Sequence, residues 1–217
     1  MGVSAGASLG AVIAIALGFT SLGMFYMPAF AFVGAFVSVG ITILLTLRNN
    51  KLDTTTLLLA GVAVSMLLGA FTSGILTMIN EYRLREFLFW MVGGLDFRRW
   101  DHVLLAVGPI MTGSVILMML GRHLNVLVLG DTEARALGVP VMVYRMLFLF
   151  LSSVITATAV CVSGSIGFVG LVVPHIVRLL VGPDHRILLP MAAIGGALFL
   201  VFCDTLGRVV AQPVEIR

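Results

Sequence analysis

Charge is scarce in this sequence of 217 residues: Lys and Arg number 13 and Asp and Glu 10, together 11% of the composition. A soluble domain needs far more polar surface than that, so water is excluded as the main solvent of the folded chain. No acid stands in the middle of an apolar run, Asp204 lying close to the end of one. A secondary transporter that couples protons or sodium through a buried carboxylate therefore lacks its residue. Lysine is reduced to Lys51, in a loop without glycines, and GxxxxGK[ST] is absent, so the chain does not cradle nucleotide phosphates in that manner. Any ATP has to be hydrolysed by a partner. His102, His123, His175 and His185 are dispersed and HExxH is missing, which leaves an intramembrane metalloprotease without support. The cysteines, Cys161 and Cys203, both fall in apolar runs, where a thiol behaves as a small hydrophobe, so neither a disulfide framework nor a metal site is implied. Ser165, between Gly164 and Gly167, does not have the spacing of a nucleophile elbow.

What is abundant is apolar: 60% of residues are hydrophobic and the mean hydropathy is +1.15. The apolar residues come in runs of about 18 to 24, long enough to cross a hydrocarbon core as helices. Seven spans are expected, over residues 5–22, 28–47, 56–79, 103–120, 141–163, 166–181 and 187–206. The fold class is thus all-α, a polytopic transmembrane bundle forming a single membrane domain over 1–217. Only Gly164 and Ser165 separate the fifth and sixth spans, which predicts a tight antiparallel hairpin. The opening Gly2-Val3-Ser4-Ala5-Gly6 is not a signal peptide, and Pro213-Val214-Glu215-Ile216-Arg217 follows a polar turn, so both ends read as cuts through a larger protein.

Two segments between spans are long enough for structure of their own. Residues 80–102 mix Phe87, Phe89, Trp90, Phe97 and Trp100 with charges, the composition of an interfacial helix and turn with aromatics at headgroup depth. Residues 121–140 contain Asp131-Thr132-Glu133-Ala134-Arg135-Ala136-Leu137-Gly138, a short helix with acids in its first turn, ended by Gly138 and Pro140.

The net charge of +3 does not point to nucleic acid, because the basic residues are scattered without a stripe. Nor does it orient the chain. Arg48, Lys51, Arg122, Arg135, Arg145, Arg178 and Arg186 fall on one side, and Arg83, Arg85, Arg98, Arg99, Arg208 and Arg217 on the other.

Several motifs have both a structural and a functional reading. Gly2, Gly6 and Gly10, spaced by four, give a smooth strip for close helix contact or for lining a pathway. Gly164, Gly167 and Gly170 followed by Pro174 and His175 make a bendable helix entry, either a pathway-lining hairpin or a kinked packing helix. His175 reads as a hydrogen-bonded structural group before it reads as a heme ligand. Asp204 and Arg208, four apart, share a helix face and can pair; alternatively Arg208 offers a fixed cation to an acidic partner protein.

The segment Gly130-Asp131-Thr132-Glu133-Ala134-Arg135-Ala136-Leu137-Gly138 resembles the cytoplasmic coupling segment of the FecCD family, the permeases for iron-siderophores, heme and vitamin B12. Three further stretches are similar in the same order: 2–7 to that family's glycine-rich helix start, 57–62 to its mid-chain helix, and 163–175 with Asp184-His185-Arg186 to its most recognisable block. The resemblance implies a ten-helix BtuC-like permease fold, of which the seven spans would be the third to ninth, with two helices before Met1 and one after Arg217 missing. It also implies the partners: a second permease copy, two cytoplasmic ATPases that bind ATP and Mg, a periplasmic substrate-binding protein, and the lipid of a bacterial inner membrane. No cofactor is expected on this chain. In that scheme residues 80–102 are periplasmic and 121–140 cytoplasmic, and Gly130, Glu133, Ala134, Arg135, Leu137 and Gly138 form the coupling helix seated on the ATPase. Thr54 and Thr55 match a cytoplasmic gate of the cobalamin-type members, and Arg208 matches an arginine that receives a glutamate of the binding protein. The cargo stays open among heme, ferric siderophore and cobalamin; 89–96 is most similar to the heme branch. A structural membrane protein without transport remains as an alternative, but it leaves the polar 131–138 segment without a purpose.

Overall fold

A computed structural model of the chain describes residues 2–47, 54–95 and 98–210, with the side chain of Thr54 left aside. Arg48, Lys51, Asp96, Phe97 and the stretch 211–217, which enter the reading above, lie outside the described residues. The described residues form α1 (Val3–Ala16), α2 (Tyr26–Thr46), α3 (Thr54–Leu76), α4 (Glu81–Val92), α5 (Trp100–Met119), α6 (Gly121–Val128), α7 (Asp131–Ala136), α8 (Val141–Ser163), α9 (Val169–Val181) and α10 (His185–Val210), with a 3-10 turn at Phe19–Leu22. No strand is present among them, so the all-α expectation holds.

Five of these helices are long and apolar enough to cross a membrane: α2, α3, α5, α8 and α10. The first and sixth expected spans come out shorter, at 14 residues for α1 and 13 for α9. The first was expected to run to residue 22, but the chain leaves the helix at Leu17 and turns through Gly18 at φ 78°. Arg83 of α4 fixes that stop by donating from Nη1 to the carbonyl of Ala16 at 2.7 Å. A cation there satisfies a carbonyl that the helix cannot, and its charge suits the negative end of the dipole.

The residues divide into two compact units. The first comprises residues 1–93, 98–110 and 152–165. Its centre is α1, whose Ala7, Ala11, Val12 and Ile15 are fully buried against α2, α3 and α4. Close approach of α1 and α2 explains the glycine spacing. A Cβ at Gly6 would strike the carbonyl oxygen of Gly34, one at Gly10 that of Phe30, and one at Gly34 that of Gly6. The strip is a packing seam. Ser38 closes its N-terminal end by donating from Oγ to the Gly2 carbonyl at 2.8 Å. Further along α2, Thr42 donates to the Ser38 carbonyl and Thr46 to the Thr42 carbonyl, both at 2.9 Å, so these buried hydroxyls are satisfied inside their own helix.

Residues 80–102 do contain a helix, capped by Asn80, whose side chain accepts from the Arg83 N–H at 3.0 Å. Its aromatics divide between two faces. Phe87 and Trp90, three apart, are 1% and 8% exposed and join the core with Ala157, Val160 and Cys161 of α8. Phe89 and Trp100 face outward.

The second unit comprises residues 94–97, 111–151 and 166–217. Here Val173 and Val177 of α9 pack with Leu188 of α10, and their methyl groups reach to within 3.3–3.4 Å of where a Cβ on Gly195 would stand. The expected two-residue hairpin between α8 and α9 is replaced by a five-residue link, 164–168, and the helix on which α9 packs is α10. The fourth expected span is followed by a helix not foreseen in the sequence, α6, which packs on α10.

Candidate functional site

The site is built around α7. Gly130 precedes it with φ 120°, a conformation natural for glycine, and the Glu133 side chain folds back so that a Cβ on Gly130 would come within 2.5 Å of Glu133 Oε2. Asp131 and Glu133 put their carboxylates at the positive end of the helix. The other end is a Schellman stop: Gly138 at φ 79° donates to the Arg135 carbonyl at 2.9 Å, and Val139 donates to the Ala134 carbonyl at 3.0 Å. Six residues of helix are too few to persist by propensity alone, so these two caps and the neighbours decide that it forms. Ala134 faces inward, fully buried, whereas Glu133, Arg135 and Leu137 are exposed, and neither Glu133 nor Arg135 has an ion pair among the described residues. The helix thus presents an acid, a base and a leucine outward on a shape fixed from below.

Two contacts tie α7 and its neighbour α6 to α8. Arg145, in the second turn of α8, holds Asp131 with Nη2–Oδ1 at 2.6 Å and Nη1–Oδ2 at 3.4 Å. The arginine side chain is 19% exposed and the pairing is two-pronged, which gives it more weight than a loose surface pair. His123 of α6 stacks on Tyr144 of α8 with ring centroids 4.2 Å apart and planes inclined by 15°. Arg145 was not singled out in the sequence as a site residue. Its partner lies 14 positions earlier, beyond a glycine and a proline, and no periodic pattern links the two.

Of the other expected site residues, Thr55 is exposed in the first turn of α3, next to Thr54. Gly164, at φ 77°, touches α4: a Cβ there would strike the Trp90 carbonyl oxygen and lie 2.8 Å from the Gly93 Cα. This position is a close backbone contact. Gly167 and Gly170 instead have open space around them, and Pro174 lies within α9. Between them Phe168 takes a positive φ of 64°, with Val169 N–H bonding back to the Gly167 carbonyl at 2.8 Å, a tight and strained turn for a residue with a side chain. Arg208 pairs with Asp204, its Nε at 2.9 Å and Nη2 at 2.8 Å from Oδ2, as four-residue spacing on a helix predicts. No group of three His, Cys, Asp or Glu able to hold a metal occurs among the described residues. An apolar hollow of roughly 450 Å³ in the first unit is lined by Phe25, Pro28, Phe32, Leu105, Pro109 and Cys161, among others.

The profile of the FecCD transport family matches residues 1–217. The chain is 44% identical over 219 residues to the cobalamin import system permease protein of Halobacterium salinarum, covering 100% of this chain and 58% of that one. It is 42% identical over 222 residues to the hemin transport system permease protein of Yersinia pestis, covering 100% and 65%. An uncharacterized ABC transporter permease protein of Bacillus subtilis is 40% identical over 219 residues, with 100% and 62% covered. The chain therefore spans 58–65% of the length of these curated relatives. A solved structure, an inward-facing conformation of an ABC transporter assigned to the metal-chelate type, superposes with a TM-score of 0.92 at 32% identity, over 99% of this chain and 68% of that one.

Proposed function

Because this chain belongs to the FecCD transport family, we propose that it forms the membrane-spanning core of the permease subunit of an ATP-binding-cassette importer, carrying an iron chelate (heme or ferric siderophore) or cobalamin across a bacterial inner membrane. The observation that carries this reading is α7: a short helix capped at both ends, exposed on Glu133, Arg135 and Leu137, and tied by Asp131–Arg145 to a membrane-spanning helix. Such a helix is a handle. Gly130, Glu133, Ala134, Arg135, Leu137 and Gly138 seat in a groove of a cytoplasmic ATPase, which holds the ATP and Mg, and its nucleotide-driven closure rocks the spans through α7. A second copy of the permease completes the pathway. Thr54 and Thr55 serve as its cytoplasmic gate, and Gly164, Gly167 and Gly170 with Pro174 border the pathway along the link into α9. Arg208, held on its helix by Asp204, receives an acidic group of a periplasmic binding protein. The relatives named for cobalamin and for hemin support the cargo class, a large chelate bound without an axial ligand so that it can be released.

The test uses the intact transporter in liposomes with its ATPase and binding protein. Glu133→Ala combined with Arg135→Ala should lower binding-protein-stimulated ATP hydrolysis about tenfold, the loss of one charge-assisted interface pair, while membrane insertion is unchanged. Undiminished stimulation overturns the coupling role. Presenting heme, ferric siderophore and cobalamin on their binding proteins in the same liposomes identifies the cargo.

A further inference from the structure

The α6 helix holds a side chain that the coupling scheme above leaves unused. Asn125 projects its amide onto the start of α10. Nδ2 donates to Asp184 Oδ1 at 2.7 Å, and Oδ1 accepts the His185 backbone N–H at 2.9 Å while standing 2.7 Å from His185 Nδ1. Both ends of one planar amide are therefore engaged by the two residues that open α10. One turn earlier on α6, Gly121 brings backbone to backbone: a Cβ there would lie 3.3 Å from both N and Cα of Arg186. The α6–α10 joint is thus close-packed at Gly121 and pinned at Asn125.

This joint is more than a helix cap. Asp184 already caps α10 without help, since the same Oδ1 accepts the Arg186 N–H at 2.9 Å. What Asn125 adds is a link between residues 59 and 60 positions apart, and only an amide can give a donor to the carboxylate and an acceptor to the N–H from the same rigid plane. The consequence concerns α7, which follows α6 directly.

We infer that Asn125 is a positioning residue for coupling: it fastens α6, and with it α7, to the first turn of α10. A push on α7 then reaches α8 through Asp131–Arg145 and α10 through Asn125, so two membrane-spanning helices move with the handle instead of one. This rests on the coupling role given to α7 above. It adds a second arm to that role, located at a residue that does not touch the ATPase-facing side chains.

The experiment measures substrate transported per ATP hydrolysed in the reconstituted intact transporter. Asn125→Asp places two acceptors against the Asp184 carboxylate and should lower the ratio about tenfold, the loss of one hydrogen bond to a charged group. Combining it with Asp184→Asn returns a donor to the 125–184 contact, while the Arg186 N–H gives up the Oδ1 it shared, and should restore part of the ratio. Restoration by the pair also answers the objection that the single variant merely misfolds. A wild-type ratio in Asn125→Asp overturns the inference, and so does a lowered ratio that the reversed pair fails to rescue. A fall in thermal stability with the ratio intact would mean a purely structural joint and overturns it too. If the Glu133→Ala, Arg135→Ala variant loses stimulation while Asn125→Asp transports normally, the α10 arm fails and the coupling role of α7 stands; if neither variant has an effect, both fail.

Discussion

Replacing Gly10 with alanine should open the α1–α2 seam, and the size of the effect follows from what the new methyl would meet. It would overlap the Phe30 carbonyl oxygen, lie 2.7 Å from that carbonyl carbon and 3.1 Å from the Ala31 Cα. All three are backbone atoms, so no side chain can swing aside. Ordinary contact for a Cβ begins at 3.4 Å, which makes the required separation at least ~0.7 Å along the seam, enough to forfeit a quarter to a half of the dispersion energy there. Forced overpacking of this kind costs about 1–3 kcal/mol, and weakening the Ser38–Gly2 hydrogen bond adds about 0.6 kcal/mol. Alanine returns up to ~1 kcal/mol through its better helix propensity. The net expectation is a loss of about 1–2 kcal/mol. Gly40 on α2 is the control, because nothing lies within 4 Å of a Cβ placed there, and Gly40→Ala should be neutral or slightly stabilising. Unfolding in detergent, followed by tryptophan fluorescence, reads the difference, since Trp90 sits in the same core. Equal stability of the Gly10→Ala and Gly40→Ala proteins would refute the reasoning that backbone contact, and not lipid or solvent, sets the need for glycine at residue 10.

Two further expectations concern the second unit. Phe168→Gly should raise the thermal midpoint, because glycine occupies φ 64° without the ~1 kcal/mol or more that a residue with a Cβ spends there, and the exposed ring gives up little packing; a lowered midpoint would mean the ring is held by something more than the turn. Asp184 lies below the ordinary carboxylate value of 3.8, first because the Arg186 backbone N–H bonds its charged form and then because Asn125 does. A depressed folded value means that its contribution is complete above the ordinary value and drains away as the pH falls below it. Wild type should therefore lose stability on acidification below about pH 4 more steeply than Asp184→Asn; parallel profiles would remove the carboxylate from the joint.

How much of this was legible in the sequence depends on the range of the interaction. The apolar runs located the long helices α2, α3, α5, α8 and α10, because a bilayer demands length and hydrophobicity within one stretch of chain. Gly138 with Pro140 correctly marked where α7 stops, since a Schellman turn is written in adjacent residues. Where the decisive partner is distant, the sequence was silent. Gly18 marks a local stop inside the first apolar run, but that Arg83 holds the Ala16 carbonyl from 67 positions away is written nowhere near it, so the run looked longer than its helix. Composition showed that α4 carries aromatics but not that Phe87 and Trp90 turn inward while Phe89 turns out. The helix α6 was hidden in a polar segment beside a long apolar run, and Asn125 there is one unremarked polar residue until α10 is folded against it.

The hydroxyls of Ser38, Thr42 and Thr46 have a mechanical consequence. A membrane helix with three buried polar side chains would ordinarily be bolted to its surroundings, yet Thr42 and Thr46 spend their donors on their own helix and only Ser38 reaches across to α1. Sliding or rolling of α2 at Thr42 and Thr46 breaks neither of those two bonds, so its hold on α1 rests on Ser38 and on the backbone contacts at Phe30 and Gly34. A helix built this way stays polar inside while its lower turns remain free of side-chain bonds to their neighbours.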